Sequence, residues 1–174
     1  MVPSAIDETL AAGPYLETVP ALALSKAQAV VGTGVGGVVL AADTVVVVEG
    51  QLLGKPRDAD DARRMLRLLR NRPHEVVTGV AVVAAETGWT ATTAVVTVVV
   101  MADYGDEAID AYVATGGPLD KAGAYAIQDI PGAWIKAVSG SYTNVVGLPL
   151  AATRRLLESF GVPLLSSAVS GQER

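Results

Sequence analysis

Residues 42 to 56 read Ala-Asp-Thr-Val-Val-Val-Val-Glu-Gly-Gln-Leu-Leu-Gly-Lys-Pro, and their order decides the fold class. The apolar run 38–42 is a buried strand that delivers a carboxylate, Asp43, near its end. A second apolar run follows, turns at Glu49-Gly50, and leads to Lys55 between Gly54 and Pro56. An acid on a strand and a lysine on a rigid loop, this close in sequence, can face one another across a pocket. That is the minimum equipment for holding a metal-bound phosphate.

Outward from this stretch, helical and strand patterns alternate. Residues 22–31 have helical apolar spacing and stop at Gly32. Residues 58–70 predict a helix. Asp58, Asp60 and Asp61 sit at its start, where the helix dipole favours anions, and arginines crowd its last turn. The runs 76–85 and 89–101 are β-rich and meet at Glu86-Thr87-Gly88, which predicts a long hairpin. Helices are expected over 106–115, closed by Gly116-Gly117-Pro118, and over 150–160, stopped by Gly161 and Pro163. The pattern gives an α/β chain with a mixed sheet, no internal repeat and no linker to a second domain.

Composition narrows the function. A length of 174 residues suits one domain with a substantial core. An apolar content of 51% with only 18% charged residues excludes a disordered chain. The net charge of -5 argues against a nucleic-acid polymer or an anionic membrane as partner, since both need a basic face. It leaves a single nucleotide open, because a few placed cations suffice for one triphosphate. With no cysteine there is no disulfide and no thiolate metal site, and the one histidine, His74, makes a Ser-His-Asp triad a poor fit. No apolar run is long and uniform enough to span a bilayer, and no secretory signal is visible at Met1, so a cytoplasmic protein is expected.

Gly32-Thr33-Gly34-Val35-Gly36-Gly37 fits the spacing of a dinucleotide fingerprint. That mechanism needs a strand before the glycines and a helix after them. Here the order is reversed, so the segment reads as a turn.

Read from the residues alone, Asp43 is either a strand-end carboxylate capping a backbone group or a metal ligand or general base that activates water. The lysines are informative because they are few: Lys26, Lys55, Lys121 and Lys136. Arginine dominates the helix surface at Arg63, Arg64, Arg67 and Arg70. Lys26 lies on a largely apolar helix and Lys55 in Gly-Lys-Pro, which favours phosphate binding for both. Lys121 can equally pair with Asp120. Thr44 and Gln128 are polar residues beside apolar strands, and ordinary backbone hydrogen bonding would account for them. Ser141, Tyr142 and Asn144 form a polar segment that either turns into the last helix or lines a groove. His74 reads as a hydrogen-bonded residue at a strand start.

Several blocks together carry a resemblance. Asp120-Lys121-Ala122-Gly123-Ala124-Tyr125-Ala126-Ile127-Gln128 and Gly140-Ser141-Tyr142-Thr143-Asn144-Val145-Val146-Gly147-Leu148-Pro149-Leu150 follow the opening stretch in order. Ile6-Asp7-Glu8 and Leu24-Ser25-Lys26-Ala27 add two shorter pieces. The chain thereby resembles the Maf family, septum-formation-inhibitor-like nucleoside triphosphate pyrophosphatases, across most of its length. The resemblance implies an elongated, twisted mixed sheet with flanking helices, in two lobes around a central groove, similar to inosine-triphosphatase-like folds. It implies a single domain over 1–165, with a frayed tail over 166–174.

The resemblance also assigns roles. Asp43 falls on the family's catalytic aspartate, the proton acceptor, with Lys26 and Lys55 as the accompanying cations. Thr44, Gln128 and Lys121 become substrate-binding residues, and Glu8 joins Asp43 in holding a divalent cation, Mg²⁺ or Mn²⁺. Ala-Asp-Thr and Ser-Tyr-Thr-Asn-Val-Val-Gly-Leu-Pro-Leu are similar to the subgroup acting on dTTP and UTP. The implied role is housecleaning of nucleotide pools, releasing pyrophosphate. One departure stands against this. The family opens with a strand and helix carrying a Ser-x-Ser-Pro-Arg-Arg-like phosphate clamp, and Met1-Val2-Pro3-Ser4-Ala5-Ile6-Asp7-Glu8 corresponds to a point after it. The expected consequences are a weakened grip on triphosphate and an exposed sheet edge. The alternative is a catalytically weak nucleotide-binding or regulatory protein that completes its sheet as a homodimer.

Overall fold

The computed structural model describes residues 15–163. Its elements run α1 (Tyr15–Val31), β1 (Val38–Val48), β2 (Gln51–Leu53), α2 (Ala59–Leu69), β3 (Pro73–Ala84), β4 (Thr90–Met101), α3 (Asp106–Ala114), β5 (Ile135–Ser139), α4 (Tyr142–Val145) and α5 (Leu150–Ser159). Short 3₁₀ turns occupy Gly117–Asp120, Ala122–Ala124 and Gly132–Trp134. The five strands form one sheet in the order β2-β1-β3-β4-β5.

The α/β architecture with flanking helices matches the sequence reading, but the strand directions do not match a mixed sheet. Every pairing among the described residues is antiparallel. For two of the four pairings the reason is local: β1 turns directly into β2 and β3 directly into β4, and short turns permit only antiparallel neighbours; β1–β3 and β4–β5 are joined by longer connections that contain helices.

A second correction concerns β1. The two apolar runs around Asp43 are one continuous strand, paired with β3 from Val38↔Ala84 to Val47↔Glu75. Asp43 therefore sits in mid-strand, opposite Gly79, rather than near a strand end. β2 pairs only with Val46, Val47 and Val48. The outer edge of β1 beside Asp43 thus has no neighbouring strand among the described residues, and polar groups there can reach a cavity.

Side chains alternate across the sheet. Val45, Val47 and Val77 face α1 and pack on Val19. Val46, Val48, Val76, Val99 and Met101 face the other way, into the main core with α2 and α3. α2 matches its sequence signals: Asp58 is the N-cap, accepting from the Asp61 amide at 2.8 Å.

α1 starts earlier than its periodicity suggested and contains Pro20. Proline normally breaks a helix, so the pattern is legible only beyond it. Here Pro20 is the sixth residue of the helix, where it leaves one backbone hydrogen bond unmade, and it packs on Gly79. A Cβ on Gly79 would lie 2.4 Å from the Pro20 nitrogen and 2.5 Å from the Val19 carbonyl carbon. Only a residue without a side chain lets helix and strand backbones approach so closely. The glycine-rich segment after α1 is the expected turn, leading from helix to strand.

Candidate functional site

A cavity of about 790 Å³ opens at the edge of β1 that has no neighbouring strand among the described residues. Its walls come from α1 (Leu22, Lys26), β1 (Ala42 to Val46), the loop after β2 (Gly54, Lys55), the segment 120–128 and the 145–147 turn. Asp43, Thr44, Lys26, Lys55, Lys121 and Gln128, all singled out from sequence, line this one cavity. Glu8 lies outside the described residues.

Two rigid elements create the charged centre. Lys26 Nζ donates to Asp43 Oδ1 at 2.5 Å, with the two side chains only 14% and 13% exposed. The approach of α1 at Gly79, directly opposite Asp43, brings the helix near enough for this bond. A partly desolvated pair of this kind binds its partners more firmly than an exposed one.

The other cations ride on loops. Lys55 is exposed at the mouth. Its loop is fixed from both sides: the Gly123 amide donates to the Gly54 carbonyl at 3.0 Å, and the Arg57 amide donates to Asp61 Oδ2 at 3.2 Å. Asp61 is itself buried, and its hydrogen bonds to Arg57 and Arg64 hold its carboxyl below the usual aspartate range despite that burial. Gly123 has φ +68°, and a Cβ there would sit 2.9 Å from Val46 Cγ2, so the turn needs glycine on both counts. Lys121 donates to Asp120 at 2.7 Å, the structural pairing its sequence position allowed. That bond raises the lysine above and lowers the aspartate below their ordinary values. Gln128 is exposed on the same rim. The described lining thus holds three lysines and two aspartates, a surplus of one positive charge.

No group of three His, Asp or Glu residues among the described residues could hold a metal ion. A Mg²⁺ carried on a triphosphate does not require one, because one or two carboxylates and the phosphates complete its shell. Asp43 offers a carboxylate of that kind at the cavity wall, so the donor set fits a cation arriving with its substrate.

Ser141, Tyr142 and Asn144, read as either a turn or a groove wall, are not among the residues that line the cavity, whereas Tyr125, not singled out from sequence, is. Tyr125 lines the cavity floor, and its hydroxyl lies 2.7 Å from His74 Nε2. Burial pushes the Tyr125 phenol up and the His74 imidazole down to about 4, so both are neutral at physiological pH. His74 is thus the hydrogen-bonded strand residue its position suggested. Asn144 is fully buried beneath the 145–147 turn, donating from Nδ2 to the Val76 carbonyl and to Thr97 Oγ1, both at 3.0 Å. Ser141 caps α4 through the Asn144 amide at 3.2 Å, so the polar segment both turns the chain and supports the cavity wall. The Asn144 signal was in the sequence, as an amide inside an apolar block. Its partners on β3 and β4 could not be read from it.

A family model described as Maf-like protein matches residues 1–160. The chain is 53% identical over 165 residues to a dTTP/UTP pyrophosphatase of Anaeromyxobacter dehalogenans (strain 2CP-C), covering 93% of this chain and 83% of that one. It is 48% identical over 161 residues to a dTTP/UTP pyrophosphatase of Moorella thermoacetica, covering 92% and 83%. A third relative of that name, from Dictyoglomus turgidum, is 45% identical over 150 residues, covering 86% and 78%. This chain belongs to the Maf family. Among the described residues no helix is long and apolar enough to cross a membrane.

Proposed function

We propose that this chain hydrolyses pyrimidine nucleoside triphosphates, dTTP and UTP, between the α and β phosphates, giving the monophosphate and pyrophosphate. The observation that carries this reading is the Lys26–Asp43 pair at the wall of a nucleotide-sized cavity flanked by Lys55 and Lys121. The names of the relatives supply the substrate class.

Asp43 would orient the attacking water and accept its proton. Lys26 keeps the carboxylate in place by charge and hydrogen bond, and its ammonium can also meet a phosphate oxygen. Lys55 and Lys121 would neutralise charge on the departing pyrophosphate. Thr44 and Gln128 would read the base. A divalent cation, Mg²⁺ or Mn²⁺, would be held by Asp43 and the phosphates, with Glu8 as a second carboxylate by family resemblance. When bound, it would supply further neutralisation of phosphate charge. The enzyme would act as a soluble, cytoplasmic housecleaner of nucleotide pools.

The test is pyrophosphate release from dTTP, UTP, CTP and GTP, with and without Mg²⁺ or Mn²⁺. Metal-dependent release that favours dTTP and UTP is expected. A folded chain that releases no pyrophosphate from any of the four, while still binding UTP, would sink the hydrolase and leave the nucleotide-binding alternative.

A further inference from the structure

Thr44 does not stand alone at the cavity wall. Its Oγ1 lies 2.9 Å from Oγ1 of Thr78, which is fully buried on β3. Thr78 Oγ1 lies in turn 3.2 Å from the backbone carbonyl of Asn144. A carbonyl can only accept. If Thr78 gives its proton to Asn144, Thr44 must give its own to Thr78, and both contacts become hydrogen bonds. If Thr78 instead donates to Thr44, the Thr78–Asn144 contact has no proton and two oxygen lone pairs face each other in a buried site. The first arrangement makes two bonds and the second makes one, so the first is preferred.

The carbonyl that sets this direction is itself fixed. It also accepts from the Gly147 amide at 2.9 Å, and the Asn144 side chain is anchored to Val76 and Thr97. The Gly147 turn closes over Thr44, since a Cβ on Gly147 would be 3.5 Å from Thr44 Oγ1. Thr44 therefore reaches the cavity with its proton already committed inward and its lone pair outward.

We infer that Thr78 is a positioning residue that makes the Thr44 hydroxyl a hydrogen-bond acceptor toward the substrate base, selecting an imide N–H and disfavouring a ring nitrogen that accepts. Uracil and thymine present a donor at N3, whereas cytosine presents an acceptor there. Binding cytosine at this point would require the relay to reverse and one buried hydrogen bond to be lost, a discrimination of about tenfold. The inference rests on the pyrimidine reading given above, with Thr44 at the base.

The experiment compares kcat/KM for UTP and CTP in the full chain and in Thr44→Val, Thr78→Val and Thr78→Ser, with folding checked by thermal melting. Thr78→Val keeps the shape of the side chain and removes the acceptor, so the Thr44 hydroxyl is free to rotate. The UTP/CTP ratio is expected to fall about tenfold in Thr78→Val, chiefly through better use of CTP, and to be kept in Thr78→Ser. A merely structural role would lower both substrates together and leave the ratio unmoved. If Thr44→Val lowers the ratio and Thr78→Val does not, the relay is wrong while Thr44 at the base stands. If Thr44→Val leaves the ratio unchanged, or the unmodified chain does not discriminate UTP from CTP, the base contact itself is wrong and the inference falls with it. Absence of turnover in the unmodified chain overturns the hydrolase reading instead. Should Thr78→Val fail to fold, Thr78→Ala is read by the same ratio.

Discussion

Asp43 and Thr44 are adjacent in sequence, yet the pleat sends them to opposite faces of the sheet, and the two faces are built differently. On the Asp43 side, α1 lies almost against the strand backbone at Gly79, and a lysine from that helix meets the carboxylate. On the Thr44 side, hydroxyls from β3 and β4 and a buried amide form a chain of hydrogen bonds under a turn. One face fixes a charge by steric closeness. The other fixes the direction of a proton through a carbonyl that can only accept. The difference suits the two tasks proposed for them, since hydrolysis needs a carboxylate that does not move and base recognition needs a hydroxyl of known polarity.

The comparison breaks first at Asp43. Asp43→Asn removes the proton acceptor but keeps the shape, so dTTP turnover should fall by roughly 10²- to 10⁴-fold with an unchanged circular dichroism spectrum. Full turnover in that variant would assign the chemistry elsewhere.

The steric face should be the less forgiving in stability. Gly79→Ala places a methyl group against the backbone of Val19 and Pro20, which cannot rotate away as a side chain could. We expect a loss of about 3 kcal/mol or more in denaturant unfolding, with lower dTTP turnover as Lys26 moves off Asp43. An unchanged midpoint would show that α1 can shift freely and would remove the argument from closeness.

The polar face should reveal itself through pH. His74 lies on it, buried and neutral, its pKa pushed from 6.5 to about 4 by loss of water. Between those values the unfolded chain binds a proton that the folded chain does not. Stability from this group is complete above pH 6.5 and declines as the pH falls toward 4, by up to about 3 kcal/mol. His74→Gln should flatten the stability profile between pH 6.5 and 4, as followed by thermal melting. Retention of the full slope in that variant would place its origin in other groups.

Much of the cavity was legible before the fold was known. Asp43, Lys26, Lys55, Lys121, Thr44 and Gln128 stand in blocks with few competing charges, and all of them line one space. The helix over α2 and the hairpin of β3 and β4 were legible for the same kind of reason, since their caps, periodicity and turn residues agree. Three features were not. The start of α1 was hidden by Pro20, whose tolerance depends on where it packs. The continuity of β1 was hidden by Asp43, because a charge in an apolar run reads as a strand end until the lysine that meets it is known. The partners of Asn144 were hidden because they belong to strands 47 and 68 residues away.

The inventory is legible in the sequence: which side chains carry charge, where glycine permits turns, and which segments have an apolar face. These are local properties of composition and periodicity. Only the tertiary structure shows that β1 lies antiparallel to β3 and β4 to β5, that Lys26 meets Asp43, and that Thr78 lies against Thr44. Each of these depends on strand register and on the distance between elements far apart in the chain. Shifting β1 by one residue against β3 would exchange Asp43 and Thr44 between the faces without changing a single letter.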